Sequence, residues 1–352
     1  MSWSLRIGRI AGTDVKVHVT FLLLLGYFMV RGGFAAVLLL LAIFTCVLLH
    51  EFGHVTMARR FGVRTPDVML LPIGGLARLE RMPDEPRQEL LIALAGPAVT
   101  LVIAAALYAW LAATSGAPRL FPGIDAPVPG LAHELYRINV WLLLFNLIPA
   151  FPMDGGRVLR SILAARLGLA RATRIAASIG QMIAFAIGFV AISQNAILLV
   201  LIAFFIFVGA SGEAAAVETR LAGRGLVVRD MMVTDFRTLP VYATLADAAQ
   251  LLLAGEQREF PVVDNLGHVE GILTRDDLVR GLSASGPGAL ARDAMRGGVT
   301  PVEPGLPFER ALDRLRESRL PALPVVDAGR LVGLLTMDNV TDLLLVRRAV
   351  AR

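Results

Sequence analysis

The sequence predicts a polytopic α-helical membrane domain followed by a smaller soluble α/β domain, and three observations lead there. The 352-residue chain is 56% hydrophobic and 18% charged, against about 25% charged for ordinary soluble chains. The deficit is uneven: long apolar runs crowd residues 17–212, whereas 213–352 have ordinary soluble composition. The second part also repeats itself. Arg229-Asp230-Met231-Met232 returns as Arg292-Asp293-Ala294-Met295, Phe260-Pro261-Val262-Val263-Asp264 as Leu323-Pro324-Val325-Val326-Asp327, and Gly271-Ile272-Leu273-Thr274 as Gly333-Leu334-Leu335-Thr336. Self-similarity at a fixed period marks duplicated supersecondary units. The expected domains are 1–215 and 216–352, the second with copies at about 226–283 and 289–347.

A bilayer crossing needs about 20 apolar residues. Six candidate transmembrane helices follow: about 17–31, 34–58, 88–113, 135–153, 175–193 and 195–212. The first is short. The fourth contains Pro149 and Pro152, and broken backbone at membrane depth is tolerated where protein shields it or a wet cavity adjoins it. With the N-terminus inside, segments 1–16, 59–87 and 157–174 carry fourteen basic residues, Arg81 and Arg160 among them. The outer connections carry three, Arg31, Arg119 and Arg137. This positive-inside bias predicts a multi-pass protein of the plasma membrane with both termini cytoplasmic. No small-residue cleavage site follows Val17–Val30, so that run is expected to stay as a span. The net charge of +5 brackets apolar segments and forms no basic stripe, so no nucleic-acid partner is expected. The lone Cys46 excludes an internal disulfide and a multi-cysteine metal site, and its expected role is small apolar packing.

The chemistry begins in the second apolar run, which ends His50-Glu51-Phe52-Gly53-His54. At 3.6 residues per turn the two histidines share a face one turn apart and can share a metal. Glu51, one residue on, can address a water beside that metal without being a ligand. A chance match is expected in roughly three of a thousand sequences of this composition. A tetrahedral catalytic zinc needs a third protein ligand. Asp154 is the best candidate, because the broken fourth span would deliver it at the membrane edge, three residues before Arg157. The competing expectation is that Asp154 caps a helix over 156–167.

His50-Glu51-Phe52-Gly53-His54 together with Asn146–Gly155 resembles the site-2 protease family, the intramembrane zinc metalloproteases of regulated intramembrane proteolysis. The family's H-E-x-x-H and distal N-x-x-P-x-x-x-x-D-G patterns are both present without substitution. The resemblance implies one Zn2+ per chain held by His50, His54 and Asp154, Glu51 as general base, and Asn146 lining the site. Pro72–Ala77 looks like the family's glycine-containing hairpin, which makes Gly74 and Gly75 candidate substrate-binding residues. An extended substrate could add to such an edge as a strand. The implied substrate is a single-span membrane protein, such as a membrane-tethered transcription factor or anti-sigma factor, cut near the cytoplasmic face. A CBS-regulated membrane metal transporter is the alternative reading.

The C-terminal duplication resembles the cystathionine-β-synthase (CBS) domain pair, which implies ATP or another adenine nucleotide as a regulatory ligand. Its nucleotide-facing signature falls on Thr274 and Asp277 in the first copy. In the second copy it falls on Thr336, with Asn339 where the signature has Asp, so at most one good site is expected. Such pairs imply a homodimer formed through the CBS domains.

Overall fold

The computed structural model describes residues 4–72, 74–80, 85–119 and 130–350. Ile73 of the hairpin and Arg81 of the charge pattern lie outside them. The chain divides into two compact units, Met1–Val217 and Glu218–Arg352.

The first unit opens with strands the apolar runs did not announce. β1 (Ser4–Ile10) and β2 (Thr13–His18) form an antiparallel hairpin. β2 alternates buried Thr13, Val15 and Val17 with half-buried neighbours, the period of two of a strand packed on one face. His18 then caps the first helix by accepting from the Thr20 amide at 3.3 Å. That helix, α1, is assigned as Val19–Arg60 but breaks at Gly33, where φ is 64° and ψ −162°. The Phe21 and Phe44 ring centroids are 4.4 Å apart. Twenty-three residues of straight helix would separate them by about 34 Å, so the chain reverses at Gly33. Only glycine adopts this left-handed backbone freely.

Strands β3 (Asp67–Leu71) and β4 (Gly74–Arg78) complete a sheet of order β1-β2-β3-β4, with β2 and β3 parallel. Lys16 Nζ donates to Asp67 Oδ2 at 2.6 Å and Thr13 Oγ1 to the Thr65 carbonyl at 2.8 Å, stitching the crossover together. α2 (Pro86–Thr114) packs on α1, α3 (Leu131–Asn146) and α4 (Asp154–Leu167); α5 (Leu169–Ser193) packs on α4, and α6 (Ile197–Ala222) follows. A Cβ at Gly53 would stand 2.6 Å from the Ala95 carbonyl oxygen, so glycine is what lets α1 and α2 touch backbone to side.

Among the described residues four helices are long and apolar enough to cross a membrane: α1, α2, α5 and α6. Reaching six crossings requires both arms of α1 and also α3. The first arm, 19–32, and α3 are 14 and 16 residues long, about 21 and 24 Å, short of the roughly 30 Å hydrocarbon core. The fourth run breaks where the prolines stand. α3 stops at Asn146, and an irregular link carrying a cis Phe151–Pro152 bond leads into α4.

The second unit realises the duplication. Copy one holds β5 (Leu239–Pro240), α7 (Leu245–Leu253), β6 (Glu259–Val263), β7 (Val269–Thr274) and α8 (Arg275–Ser285). Copy two holds α9 (Ala291–Ala294), β8 (Arg296–Gly297), α10 (Phe308–Ser318), β9 (Ala322–Asp327), β10 (Arg330–Thr336) and α11 (Met337–Val350). The copies exchange edges: β7 pairs with β8 from the start of copy two, and Leu334 bridges to Val233 from the start of copy one.

Candidate metal centre

His50 and His54 lie on the second arm of α1, both buried, with ring centroids 4.8 Å apart, as residues one turn apart must be. The link after α3 turns tightly enough to bring Asp154 beneath them. A Cβ at Gly155 would overlap the Ile148 carbonyl, and one at Gly156 would stand 2.6 Å from the Phe151 amide nitrogen. Asp154 does not cap its helix: Met153 holds the cap position, and Asp154 is the first helical residue. His50 Nε2 and Asp154 Oδ2 are 3.1 Å apart, His54 Nε2 and Asp154 Oδ2 3.2 Å, and the two Nε2 atoms 3.1 Å. Among the described residues this is the one group of three or more His, Cys, Asp or Glu side chains able to share an ion. Cys46 stands outside it as a free thiol, and His18 and His268 are engaged elsewhere, at the α1 cap and with Asp264.

The outer ring nitrogens decide what the inner ones can do. His54 Nδ1 is 2.7 Å from the Ile92 carbonyl, which can only accept, so the proton sits on Nδ1 and Nε2 presents a lone pair. Thr100 Oγ1 donates to the Gly96 carbonyl at 3.4 Å and is left to accept from His50 Nδ1 at 2.8 Å. Three electron-rich atoms therefore face one another with no hydrogen between them, an arrangement that calls for a cation. Zinc bonds of about 2.0–2.1 Å at tetrahedral angles put neighbouring ligand atoms about 3.3–3.4 Å apart, close to what is found. A Cβ at Gly96 would overlap His54 Nε2 and stand 2.6 Å from His50 Nε2, so the glycine keeps open the space an ion needs. Donor set, spacing and vacant volume all fit zinc.

Glu51 points the other way, toward the sheet. The Ala77 amide donates to its Oε2 at 3.2 Å, and a Cβ at Gly75 would overlap its Cγ. A cleft of about 150 Å³ joins the histidines, Glu51 and Asp154 to Gly75, Ala77 and Asn146, with Arg157 on its wall. Asn146, the last residue of α3, donates from Nδ2 to the Leu142 carbonyl at 3.0 Å, leaving its oxygen for the cleft. Gly74 begins β4 at φ 139°.

The sequence profile of peptidase family M50 matches residues 38–129 and 126–190, and that of the CBS domain matches 228–284 and 291–346. A zinc metalloprotease of Methanocaldococcus jannaschii is 34% identical over 273 residues, covering 75% of this chain and 76% of that protein. The chain belongs to peptidase family M50. Rip3 of Mycobacterium tuberculosis is 30% identical over 380 residues, 97% of this chain and 93% of its own. Among solved structures, the site-2 protease from M. jannaschii aligns with 60% of this chain and 95% of its own at 34% identity and a TM-score of 0.46. This M50 peptidase is a membrane zinc metalloendopeptidase with a C-terminal CBS pair, and the metal-transporter reading gives way to it.

Sequence reasoning missed the α2 face of the M50 site. Glu89, Ile92, Gly96 and Thr100 recur at helical spacing along one stripe of α2, and three of them touch the histidines. Only that i, i+3, i+7, i+11 spacing, hidden in a mostly apolar helix, could have signalled it. Arg160, one of the basic residues of the inner segment 157–174, is wholly buried and ion-paired.

Of the residues expected to face a nucleotide, Thr274 and Asp277 lie together at the start of α8, and Thr336 precedes α11 in the second copy. Thr274 caps α8 by accepting from the Asp277 amide at 3.2 Å, and its hydroxyl donates to Asp277 Oδ2 at 2.6 Å. Arg296 Nε donates to the same Oδ2 at 2.9 Å, and Arg280 pairs with Oδ1. Burial pushes the Asp277 carboxyl up, but the Thr274 and Arg296 bonds and both arginine charges outweigh it and hold the group below the usual carboxylate range. Thr336 accepts from the Asn339 amide at 3.1 Å, and Asn339 Nδ2 donates to the Met231 carbonyl at 2.6 Å.

Proposed function

We propose that the protein cuts single-span membrane proteins near the cytoplasmic face of the plasma membrane, with His50, His54 and Asp154 holding one zinc ion and Glu51 acting as general base. The observation that carries this is the convergence of three lone-pair atoms whose imidazole tautomers α2 has already set. When bound, zinc supplies a Lewis acid that acidifies water to a pKa near 7 and polarises a carbonyl. Glu51 takes the proton of the attacking water and passes it to the leaving amine. The Ala77 amide holds that carboxylate in place and, through its bond, aims β4 along the cleft.

A helical substrate must unwind before its carbonyls can be attacked. β4 is an edge strand, and because the Ala77 amide points at Glu51 and away from β3, Gly75 two residues earlier presents its polar groups on the same side. An extended substrate pairing there would run past Glu51, with Asn146 able to hold it from the opposite wall. The positive-inside pattern supports a six-span, multi-pass arrangement with both termini cytoplasmic. A membrane-tethered transcription factor or anti-sigma factor has the required topology. For the 216–352 domain, the CBS match supports control by ATP or another adenine nucleotide at Thr274 and Asp277, with Thr336 contributing in the second copy, and a homodimer through the pair. The ribose would have to displace Arg296 from Asp277.

The test is to incubate purified wild type and Glu51→Gln with single-span substrates, with and without ATP. Wild type should release a shorter fragment. Glu51→Gln should lose cleavage by about 10²–10⁴-fold while keeping its zinc. A variant that still cleaves at the wild-type rate would remove Glu51 from its role.

A further inference from the structure

A buried ion-pair cluster lies one and two-thirds turns beyond Asp154 and lines no part of the catalytic cleft. Arg160 of α4 is wholly buried. Its Nε donates to Glu89 Oε1 of α2 at 2.9 Å, its Nη2 bonds the same oxygen, and its Nη1 donates to Glu213 Oε1 of α6 at 2.6 Å. The guanidinium carbon lies 5.0 Å from the ring centre of Phe151, in the link that delivers Asp154. One side chain thus ties together α2, α4, α6 and the link.

Stability is a poor reason for such a cluster. Desolvating the guanidinium and the Glu89 carboxylate costs about as much as their attraction returns, and apolar replacements are often neutral; Glu213 is half-buried. The best-attested use of a buried ion pair is to set register. Phe151 packs on Ala176, Ala177 and Ala210. Between helices in lipid there is no hydrophobic force to favour one alignment of such small side chains over another. The site, by contrast, needs its groups within about 0.5 Å of productive geometry. Glu89 stands one turn before Ile92, whose carbonyl orients His54, and Arg160 stands on the helix that begins with Asp154.

We propose that Arg160 is a positioning residue: through Glu89 it locks the register of α4 on α2, so that the Asp154 carboxylate meets the two imidazoles at ligand distance. This rests on the reading of His50, His54 and Asp154 as zinc ligands. The full-length protein, stripped of metal, is titrated with Co2+ and followed by the visible absorption of a tetrahedral site. Wild type should develop that band and Asp154→Ala should not; a band in Asp154→Ala would sink the ligand reading itself. Arg160→Met with Glu89→Gln removes the lock without leaving an unpaired charge at Glu89. The expected result is a shifted band, Co2+ affinity lower by about 10- to 100-fold, and a fall in kcat with KM for a single-span substrate unchanged. Arg160→Lys, which keeps the charge but cannot fork between two carboxylates, should recover part of the loss. A folded double variant with wild-type band and affinity overturns the proposal. Should the double variant not fold, Glu89→Gln alone decides, because it breaks the charged Arg160–Glu89 pair and leaves Glu213 to hold the guanidinium. A band shift with a loss below about tenfold supports the lock, and an unshifted band with unchanged affinity overturns it.

Discussion

The two units each bury an aspartate in the first turn of a helix, Asp154 in α4 and Asp277 in α8, at nearly equal exposure of 8% and 7%. Their surroundings are opposite. Asp277 is met by a hydroxyl donor and two permanent cations, Arg280 and Arg296, so its charge is answered within the protein. Asp154 is met by two imidazole nitrogens whose protons are held on the far side of each ring, so its charge is answered by nothing the chain supplies. A buried carboxylate with its own arginines is complete. One that faces only lone pairs serves, on the proposed reading, as a ligand. Depth of burial alone does not separate the two; the identity of the partner atoms does.

The comparison breaks most sharply at Gly96. Gly96→Ala puts a methyl group where the ion belongs, so metal content should fall by more than about 100-fold and cleavage with it. Ala is the better helix former by about 1 kcal/mol, so the loss cannot come from an unwound α2; full metal content, by elemental analysis, would refute the placement. Next comes Thr100→Val, which takes the partner from His50 Nδ1 and lets the ring choose the wrong tautomer. An affinity loss of about 10- to 100-fold in a zinc competition assay is expected.

For the closed carboxylate the effects are smaller and appear in stability. A carboxyl whose folded pKa lies below its unfolded value of about 3.9 stabilises the fold above that value, and the contribution disappears as pH falls through the folded one. α8 should therefore lose protection in hydrogen exchange below about pH 4, and Asp277→Asn should remove that acid dependence at a cost of about 1–2 kcal/mol, since the arginines stay partly hydrated. The smallest effect belongs to the second copy. Asn339→Asp turns a donor to the Met231 carbonyl into an acceptor facing an acceptor, costing about 1 kcal/mol by thermal melting at neutral pH. A stabilised variant would mean that Asn339 is not what joins α11 to the start of copy one.

Much of the fold was legible because its signals are local. The apolar runs locate the long helices, although α5 starts six residues before the expected 175 and α6 runs ten past the expected 212, and Pro149 and Pro152 announce the break that ends α3. The duplicated Pro-Val-Val-Asp and Gly-x-Leu-Thr segments return as matched strands β6/β9 and β7/β10. The N-terminal sheet escaped because β2 is short and pairs in parallel with β3, some fifty residues away; its period of two was visible, its partner was not. The partners of Arg160 escaped for a different reason: only packing shows that Glu89 and Glu213 have taken it inside.

By itself the sequence determined that two histidines one turn apart share a helical face with Glu51 between them. Helical periodicity is enough to settle that. Only the tertiary structure decided that Ile92, Gly96 and Thr100 form the back wall of the site and that Arg280 and Arg296 pair with Asp277. An apolar helix such as α2 is nearly uniform around its circumference, so nothing local says which stripe will face the histidines. An ion pair between Asp277 and Arg296 depends on an edge exchanged between two copies of the repeat. Contacts of that kind exist only once the chain has folded back on itself.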